Sequence, residues 1–278
     1  MPLAIIWPVV FSPQNVVAFL YLIASLLSYF TLPIYNYQQF FQSLPLLSSI
    51  FLFGKSTIYS PIYSFLLVPK RWFRHFYFTA ILISLSTLSP LFSTRIAGSL
   101  STRIALMVVV IQTTKRLYES IYVQIFSKSV MSIVHYFVGH YFYLTMPLSI
   151  YWTFLLDSDG YFKMGFYFIC ASVVIMLQHV VMLQLADIRK NVPRGERNTY
   201  HVPTGYMFTH VTCPHFALEI LLYAIIHLIL GLCWLPFTPT FIFVLSNQIC
   251  SGVINHMWYQ KNYSDFAKSR KILIPFVF

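Results

Sequence analysis

Apolar residues in this chain do not alternate with polar ones. They come in long runs separated by short polar segments. Seven runs, at about 15–34, 73–92, 104–126, 130–155, 164–185, 216–236 and 237–258, approach the length a helix needs to cross the hydrocarbon core of a bilayer. The pattern predicts an all-α integral membrane protein with about seven transmembrane helices, forming a single multi-pass domain over residues 1–278. The third and sixth runs are the least apolar, because each contains ionisable groups. The sixth opens on Thr212-Cys213-Pro214-His215-Phe216-Ala217-Leu218-Glu219, where His215 and Glu219 stand at i and i+4 and share one helix face. Ionisable groups at membrane depth are costly and face a bundle interior or a water-filled cavity. This helix entrance is therefore the first candidate functional site.

Composition supports the same class. Of 278 residues, 58% are hydrophobic and 9% charged, against about 25% charged in soluble domains. Mean hydropathy is +0.70. Lys55, Lys70, Arg71, Arg74, Lys128, Arg189, Lys190, Arg194, Arg197, Lys261, Lys268, Arg270 and Lys271 fall on one side of a seven-span topology, and Arg95, Arg103 and Lys163 on the other. That asymmetry places the C-terminus in the cytosol and the N-terminus in the lumen. The sequon Asn262-Tyr263-Ser264 then faces the cytosol and is expected to carry no glycan. Met1 to Gln14 has no basic residue and three prolines, which does not read as a cleavable signal peptide. Cys170, Cys213, Cys233 and Cys250 form neither a C-x-x-C pair nor a disulfide framework. The net charge of +11 reads as lipid-surface and orientation chemistry. No basic helix with interleaved aromatics stands outside the apolar runs, so no nucleic-acid partner is expected.

Of seven acidic residues, only Glu119 and Glu219 lie inside apolar runs. In Lys115-Arg116-Leu117-Tyr118-Glu119, Arg116 and Glu119 are at i, i+3. They form either a self-neutralised pair that packs inside the bundle or a site for a phosphate or polar headgroup. Ahead of the sixth run, Thr212 suits an N-cap and Pro214 the first helical turn. The free N–H groups there, with His215, suit an anion such as a cofactor phosphate. The preceding loop, with Arg189, Lys190, Arg194 and Arg197 before a Pro-x-Gly turn, extends this into an anion cradle. No H-E-x-x-H or second ligand pair is present, so no metal is expected. Neither a Rossmann G-x-G-x-x-G nor a P-loop is present. His135, His140 and His227 read as satisfied core histidines. The 47 Phe and Tyr residues, 27 and 20 respectively, read mainly as packing and interface belt.

Several of these blocks resemble the steroid 5α-reductase family, and within it the polyprenol reductase branch. They are Gln178-His179 followed by Ile188-Arg189-Lys190-Asn191; His201-x-Pro203-x-Gly205 through Val211-Thr212-x-Pro214-His215-x-x-x-Glu219; and His256-x-Trp258-Tyr259 through Lys268-x-Arg270-Lys271 to Ile274-Pro275-Phe276-Val277-Phe278. Weaker matches are Lys115-Arg116-Leu117-Tyr118-Glu119 with Tyr122-Val123, and Arg71-x-Phe73-x-His75-Phe76-Tyr77. The resemblance implies a seven-helix enzyme of the endoplasmic reticulum membrane, expected to act as a monomer. It also implies NADPH as cofactor, a long-chain polyprenoid lipid as substrate, and a role in making dolichol for protein N-glycosylation. It implies a cofactor-binding half at 178–278 and an active site open to the cytosol. Carried over by position, cofactor contacts fall on Arg116, Gln178, Arg189, His215, His256 and Tyr259. The candidate catalytic residues are Glu119, Glu219, Tyr118 and Tyr122, with His75 and Tyr77 as further proton donors. The chain departs from steroid reductases at Gln178 and Met182, His215, Ser251 and Asn255, and has no acid before Glu119. That favours the polyprenoid substrate. Hydride attacks a carbon conjugated to a carbonyl far more readily than an isolated allylic alkene, so the aldehyde is the expected immediate substrate. A steroid or enoyl-lipid reductase, an isoprenylcysteine-type methyltransferase using S-adenosylmethionine, and a non-enzymatic transporter or receptor are the alternatives.

Overall fold

The structure, a computed structural model, describes residues 12–36, 67–89, 99–126, 130–153, 160–190, 201–233 and 235–278. Among the described residues, each of the seven apolar runs contains one long helix: α1 (Pro13–Tyr29), α2 (Phe73–Leu88), α3 (Leu100–Tyr118), α4 (Ile133–Tyr151), α5 (Tyr161–Lys190), α6 (Pro214–Ile229) and α7 (Phe237–Asn262). Three helical stretches, Pro13–Asn36, Tyr161–Lys190 and Phe237–Asn262, are both long and apolar enough to cross a membrane. Large apolar side chains point outward, including Phe19 and Leu26 on α1 and Ile169 and Met176 on α5. Such a surface would be untenable in water and is suited to lipid. The protein is a mostly helical membrane protein.

Local sequence sets the helix starts. Ser12, Ser99 and Ser132 accept hydrogen bonds through Oγ from Asn15 N, Thr102 N and Val134 N, capping α1, α3 and α4. The entrance of α6 differs from the expectation. Its N-cap is Cys213, and no side chain caps it. Thr212 instead turns its Oγ1 to His256 Nδ1, 3.1 Å away. The turn is held by the C-terminal segment: Thr212 N donates to Lys271 O at 2.9 Å and Cys213 N to Ile272 O at 3.1 Å. Backbone pairing replaces the missing cap, and Pro214 takes the first turn as its fixed φ favours.

The helix containing Arg116 ends sooner than the apolar run suggests. After Tyr118 the backbone widens into a π turn over Glu119–Val123. Such bulges recur at functional sites. Helix α3 lies centrally, against α2, α4, α5 and α6. Its inward side carries Ala105, Leu106 and Val109, which meet Ala171 and Val174 of α5 and Leu222 and Ile226 of α6. Alanines at the contacts let the backbones approach. Between α2 and α4, Gly139 does the same for Phe76: a Cβ there would fall 2.7 Å from the ring. A two-stranded ribbon, Leu67–Pro69 against Val130–Ser132, ties the start of α2 to the start of α4. It brings Lys70 and His135 to the same end of the bundle as Arg189, in the last turn of α5.

Candidate active site

A cavity of about 600 Å³ opens at that end and runs into the bundle. Its volume is in the range of ligand-binding pockets. It is lined from both halves of the chain, by α2, α3 and α4 as well as α5, α6 and α7. Three chemistries share its wall.

The outer part is cationic. Lys70 and Arg189 line it, with His135 and His201. Lys70 is mostly removed from water and lies near Arg189; burial first, and Arg189 second, push its ammonium down to about 8. Arg189 is fixed by a bond from Nη1 to Ile125 O, 2.6 Å long. Among the described lining residues, Glu219 is the one carboxylate. Two neighbouring cations without an acid beside them favour an anion.

The inner part holds Tyr77, Arg116, Tyr143, Glu219 and Tyr223. Arg116 reaches it from a buried charge cluster outside the cavity wall. Glu119, 0% exposed, receives Arg116 Nη1 at 3.0 Å, Lys115 Nζ at 3.6 Å and His179 Nδ1 at 2.8 Å. The sequence left open whether Arg116 neutralises Glu119 or serves a site; the geometry does both, because Nη2 of the same guanidinium donates to Tyr77 Oη at 3.2 Å on the cavity side. Glu219 is held by Gln178, whose Nε2 donates to Oε2 at 3.0 Å. Gln178 Oε1 accepts from Gln112 at 2.7 Å and Lys115 at 3.0 Å. Lys115 thus bridges the environments of the two glutamates.

Between these ends, Phe73, Phe76, Phe142, Phe216 and Phe243 form an apolar wall, and Asn247, Gln248, Ser251, Asn255 and Tyr259 a polar strip along α7.

The sequence-derived candidates therefore separate. Arg116, Arg189, His215, Glu219 and Tyr259 line the cavity. Gln178 and Glu119 lie behind its wall and position Glu219 and Arg116. His256 also lies behind it, between Thr212 and Gln260 Nε2 at 3.1 Å each. Tyr118 and Tyr122 are 53% and 72% exposed and pack on one another, their rings 5.2 Å apart. They face outward and are not among its lining residues. Among the further donors, His75 pairs with the Tyr136 hydroxyl, whereas Tyr77 enters the wall. Of the histidines read as core, His227 is bonded to Thr238 Oγ1 and His140 to Thr79 Oγ1, but His135 lines the cavity. Arg194 and Arg197 lie outside the described residues. Lys70, Tyr143, Tyr223, Asn247 and Gln248 carried no distinguishing sequence signal. Ser251 and Asn255 did: they are positions where the chain departs from the steroid reductase pattern, and both line the cavity.

Residues 121–278 match the family model for 3-oxo-5-alpha-steroid 4-dehydrogenase. The chain belongs to that family. The match begins within the π turn and takes in α4 to α7 and the tail, hence most of the cavity wall. Similar curated proteins are the polyprenal reductases of Caenorhabditis elegans, 29% identical over 251 residues, 76% of this chain and 79% of the relative; of Drosophila melanogaster, 28% identical over 264 residues, 78% of each; and of Danio rerio, 26% identical over 245 residues, 76% and 79%. Within the 3-oxo-5-alpha-steroid 4-dehydrogenase family this chain falls in the polyprenol reductase branch, among oxidoreductases acting on a CH–CH group.

Proposed function

We propose that this chain is an NADPH-dependent polyprenal reductase, saturating the α-isoprene double bond in dolichol synthesis and so supporting N-glycosylation. The observation that carries the reading is one cavity joining a cationic end, at Lys70 and Arg189, to an Arg116–Tyr77–Glu219 end through an aromatic wall. The relatives' printed name, polyprenal reductase, supports the aldehyde as substrate.

The cavity fits a phosphate-bearing dinucleotide on its own charges. Lys70 and Arg189 would hold the phosphates, with charge-assisted bonds from a pre-fixed guanidinium. His215 and Tyr259, on opposite helices of the wall, would flank the rest of the cofactor. When bound, NADPH supplies the hydride. The chain's own residues bind, orient and shield. The phenylalanine wall excludes water from the reacting carbons and accepts an isoprenoid chain. Arg116 and its hydroxyl partner offer donors where negative charge develops on a carbonyl oxygen. Glu219, kept in place by Gln178, offers a fixed acceptor opposite them.

Seven spans, with the C-terminus cytosolic and the cavity mouth on that side, follow from the positive residues gathered at one end. We place the protein in the endoplasmic reticulum membrane as a monomer, with its cofactor-binding half at 178–278 completed by α2 and α3. The test offers purified protein NADPH, NADH or S-adenosylmethionine, with polyprenal, polyprenol or an enone steroid. NADPH-dependent loss of polyprenal is expected. Turnover of the steroid alone would move the substrate, turnover of the alcohol alone would refute the aldehyde, and absence of NADPH binding would sink the reductase reading.

A further inference from the structure

We propose that the protein holds one buried water, deeper in the bundle than the main cavity and bonded to Gln112 Oε1, and that this water steadies Arg116 and Glu219 from their inner side. The site rests on geometry alone; its role in turnover rests on the reductase reading above.

A second, small cavity of about 10 Å³ lies about one helical turn farther from the mouth. On α3 it is lined by Val109, Gln112 and Thr113, which precede Arg116, and on α4 by Met146, which follows Tyr143. Arg116, Tyr143, Glu219 and Tyr223 line both cavities, so these four side chains form the partition between them. The volume suits a single water and no larger ligand.

Gln112 supplies the reason for a water to bind. It is 6% exposed, and its Oε1 has no hydrogen-bond partner among the described residues. Which end of this amide is oxygen follows from its neighbours. Lys115 Nζ, 3.0 Å from the Gln178 amide, only donates, so the Gln178 atom there is Oε1. That oxygen needs a donor from Gln112, 2.7 Å away, which is Nε2. The same Nε2 lies 3.5 Å from Glu219 Oε2, a second acceptor. Flipping the Gln112 amide would set oxygen against oxygen twice. Its Oε1 is therefore turned away from Gln178 and Glu219. The large majority of buried side-chain polar atoms in native proteins have a partner. The small cavity, which Gln112 lines and Gln178 does not, has room for one.

The other polar walls complete the coordination, since a buried water makes about three hydrogen bonds. It can donate to Gln112 Oε1 and to the Thr113 hydroxyl, whose own proton goes to Val109 O at 2.7 Å. It can accept from Arg116, whose guanidinium has five N–H groups, of which Glu119 and Tyr77 take two. Gln112 then reaches Glu219 through Nε2 and Arg116 through the water. Both charged groups are held from the side away from the main cavity.

The test is X-ray radiolytic footprinting of the full-length protein in detergent. Hydroxyl radicals made from a bound water oxidise the side chains beside it, even where bulk water does not reach. Met146, which lines the small cavity, and Met164, in the same core but not lining it, are both 1% exposed and form the comparison. We expect Met146 to become sulfoxide several-fold faster than Met164 in the wild type. The two rates should become equal in Val109→Ile, whose added methylene fills the space. If Val109→Ile does not fold, by melting temperature, Gln112→Leu carries the same comparison by removing Oε1. Equal rates in the wild type would overturn the site, as would a Met146 excess that survives in folded Val109→Ile. So would the same excess under dilute peroxide in the dark, which would show that bulk solvent reaches Met146. For the positioning role, kcat of Val109→Ile for polyprenal should fall by about 2–10-fold, the worth of one hydrogen bond, with the NADPH dissociation constant unchanged. An unchanged kcat in a variant that has lost the Met146 excess would overturn that role. Failure of the wild type to reduce polyprenal would instead refute the reductase reading and leave the footprint comparison standing.

Discussion

Replacing Glu119 by Gln separates the two duties of Arg116. Glu119 is fully buried and meets two cations, Lys115 and Arg116, and the His179 imidazole. Removing one partner of a buried ion pair costs about 3–5 kcal/mol, because the other charge stays behind uncompensated. The two cations respond differently. Lys115 keeps Gln178 Oε1 at 3.0 Å. Arg116 cannot shed its proton and must remain charged. Its side chain is 24% exposed where it reaches the cavity, so water there screens part of the penalty. The lower end of the range, about 3 kcal/mol, is therefore expected. In a chain of this size about 3 kcal/mol corresponds to a drop of roughly 6–12 °C in melting temperature. The assay is thermal unfolding in detergent of Glu119→Gln, Arg116→Gln and the double variant. If the cost arises from a stranded guanidinium, the double variant is less destabilised than the sum of the singles by about 1–3 kcal/mol. Additive losses, or a Glu119→Gln protein that melts within about 2 °C of wild type, would refute the reasoning.

Other outcomes follow from single contacts. Lys70→Met should weaken NADPH binding by about 10–100-fold, the worth of one charged hydrogen bond, read by fluorescence titration. Because the Lys70 ammonium is held down to about 8 in the free protein, NADPH affinity should decline as pH rises through that value, and Lys70→Met should lose this decline. The sign for stability is opposite: the unfolded chain binds the extra proton between about 8 and 10.5, so Lys70 makes the cofactor-free protein more stable as pH rises across that window. Gly139→Ala gains about 1 kcal/mol of helix propensity but drives a Cβ to 2.7 Å from Phe76, which is 3% exposed. Overpacking of about 1–3 kcal/mol should win, lowering the melting temperature and raising KM for polyprenal. Tyr118→Phe and Tyr122→Phe should leave kcat/KM within about twofold, since loss of an exposed hydroxyl is worth well under 0.5 kcal/mol.

The helices were legible because apolar run length is a strong signal, and α1 to α7 fall in the expected segments. The i, i+4 pair His215 and Glu219 was legible for the same reason: helical spacing fixes a shared face, and both line the cavity. The choice among tyrosines was not. Tyr77, Tyr118 and Tyr122 sit in equally aromatic surroundings, and only the packing of α2 against α3 and α4 turns one inward. The π turn over Glu119–Val123, just after Tyr118, has no sequence mark either. Lys70 was hidden by its neighbours: beside Arg71 and Arg74 it reads as one more basic residue at a membrane edge. The ribbon pairing Pro69 with Val130 is what brings it to the cavity. Thr212 shows local logic overridden by a distant strand. A threonine before a proline-led helix suits a cap, yet the tail at Lys271 and Ile272 occupies the backbone donors of Thr212 and Cys213 and frees the hydroxyl for His256.

That arrangement explains why so few acids suffice. A guanidinium in an apolar bundle needs a carboxylate, and a carboxylate there needs cations. Glu119 satisfies both needs without entering the cavity, because the π turn sets it behind the wall while Arg116, three residues earlier, still reaches through. Had Glu119 lined the cavity, it would compete with a carbonyl oxygen for the same donors and repel the phosphates of a dinucleotide. Glu219, the carboxylate that does line it, is engaged by Gln178 and lies at the inner end, with Lys70 and Arg189 at the other. The cavity's carboxylate is thus kept deep, beside Arg116, while the mouth carries only positive charge among the described lining residues, and the aromatic wall separates the two ends. An anionic cofactor entering from the mouth would meet attraction first, and would be oriented before its reacting end reaches the tyrosines.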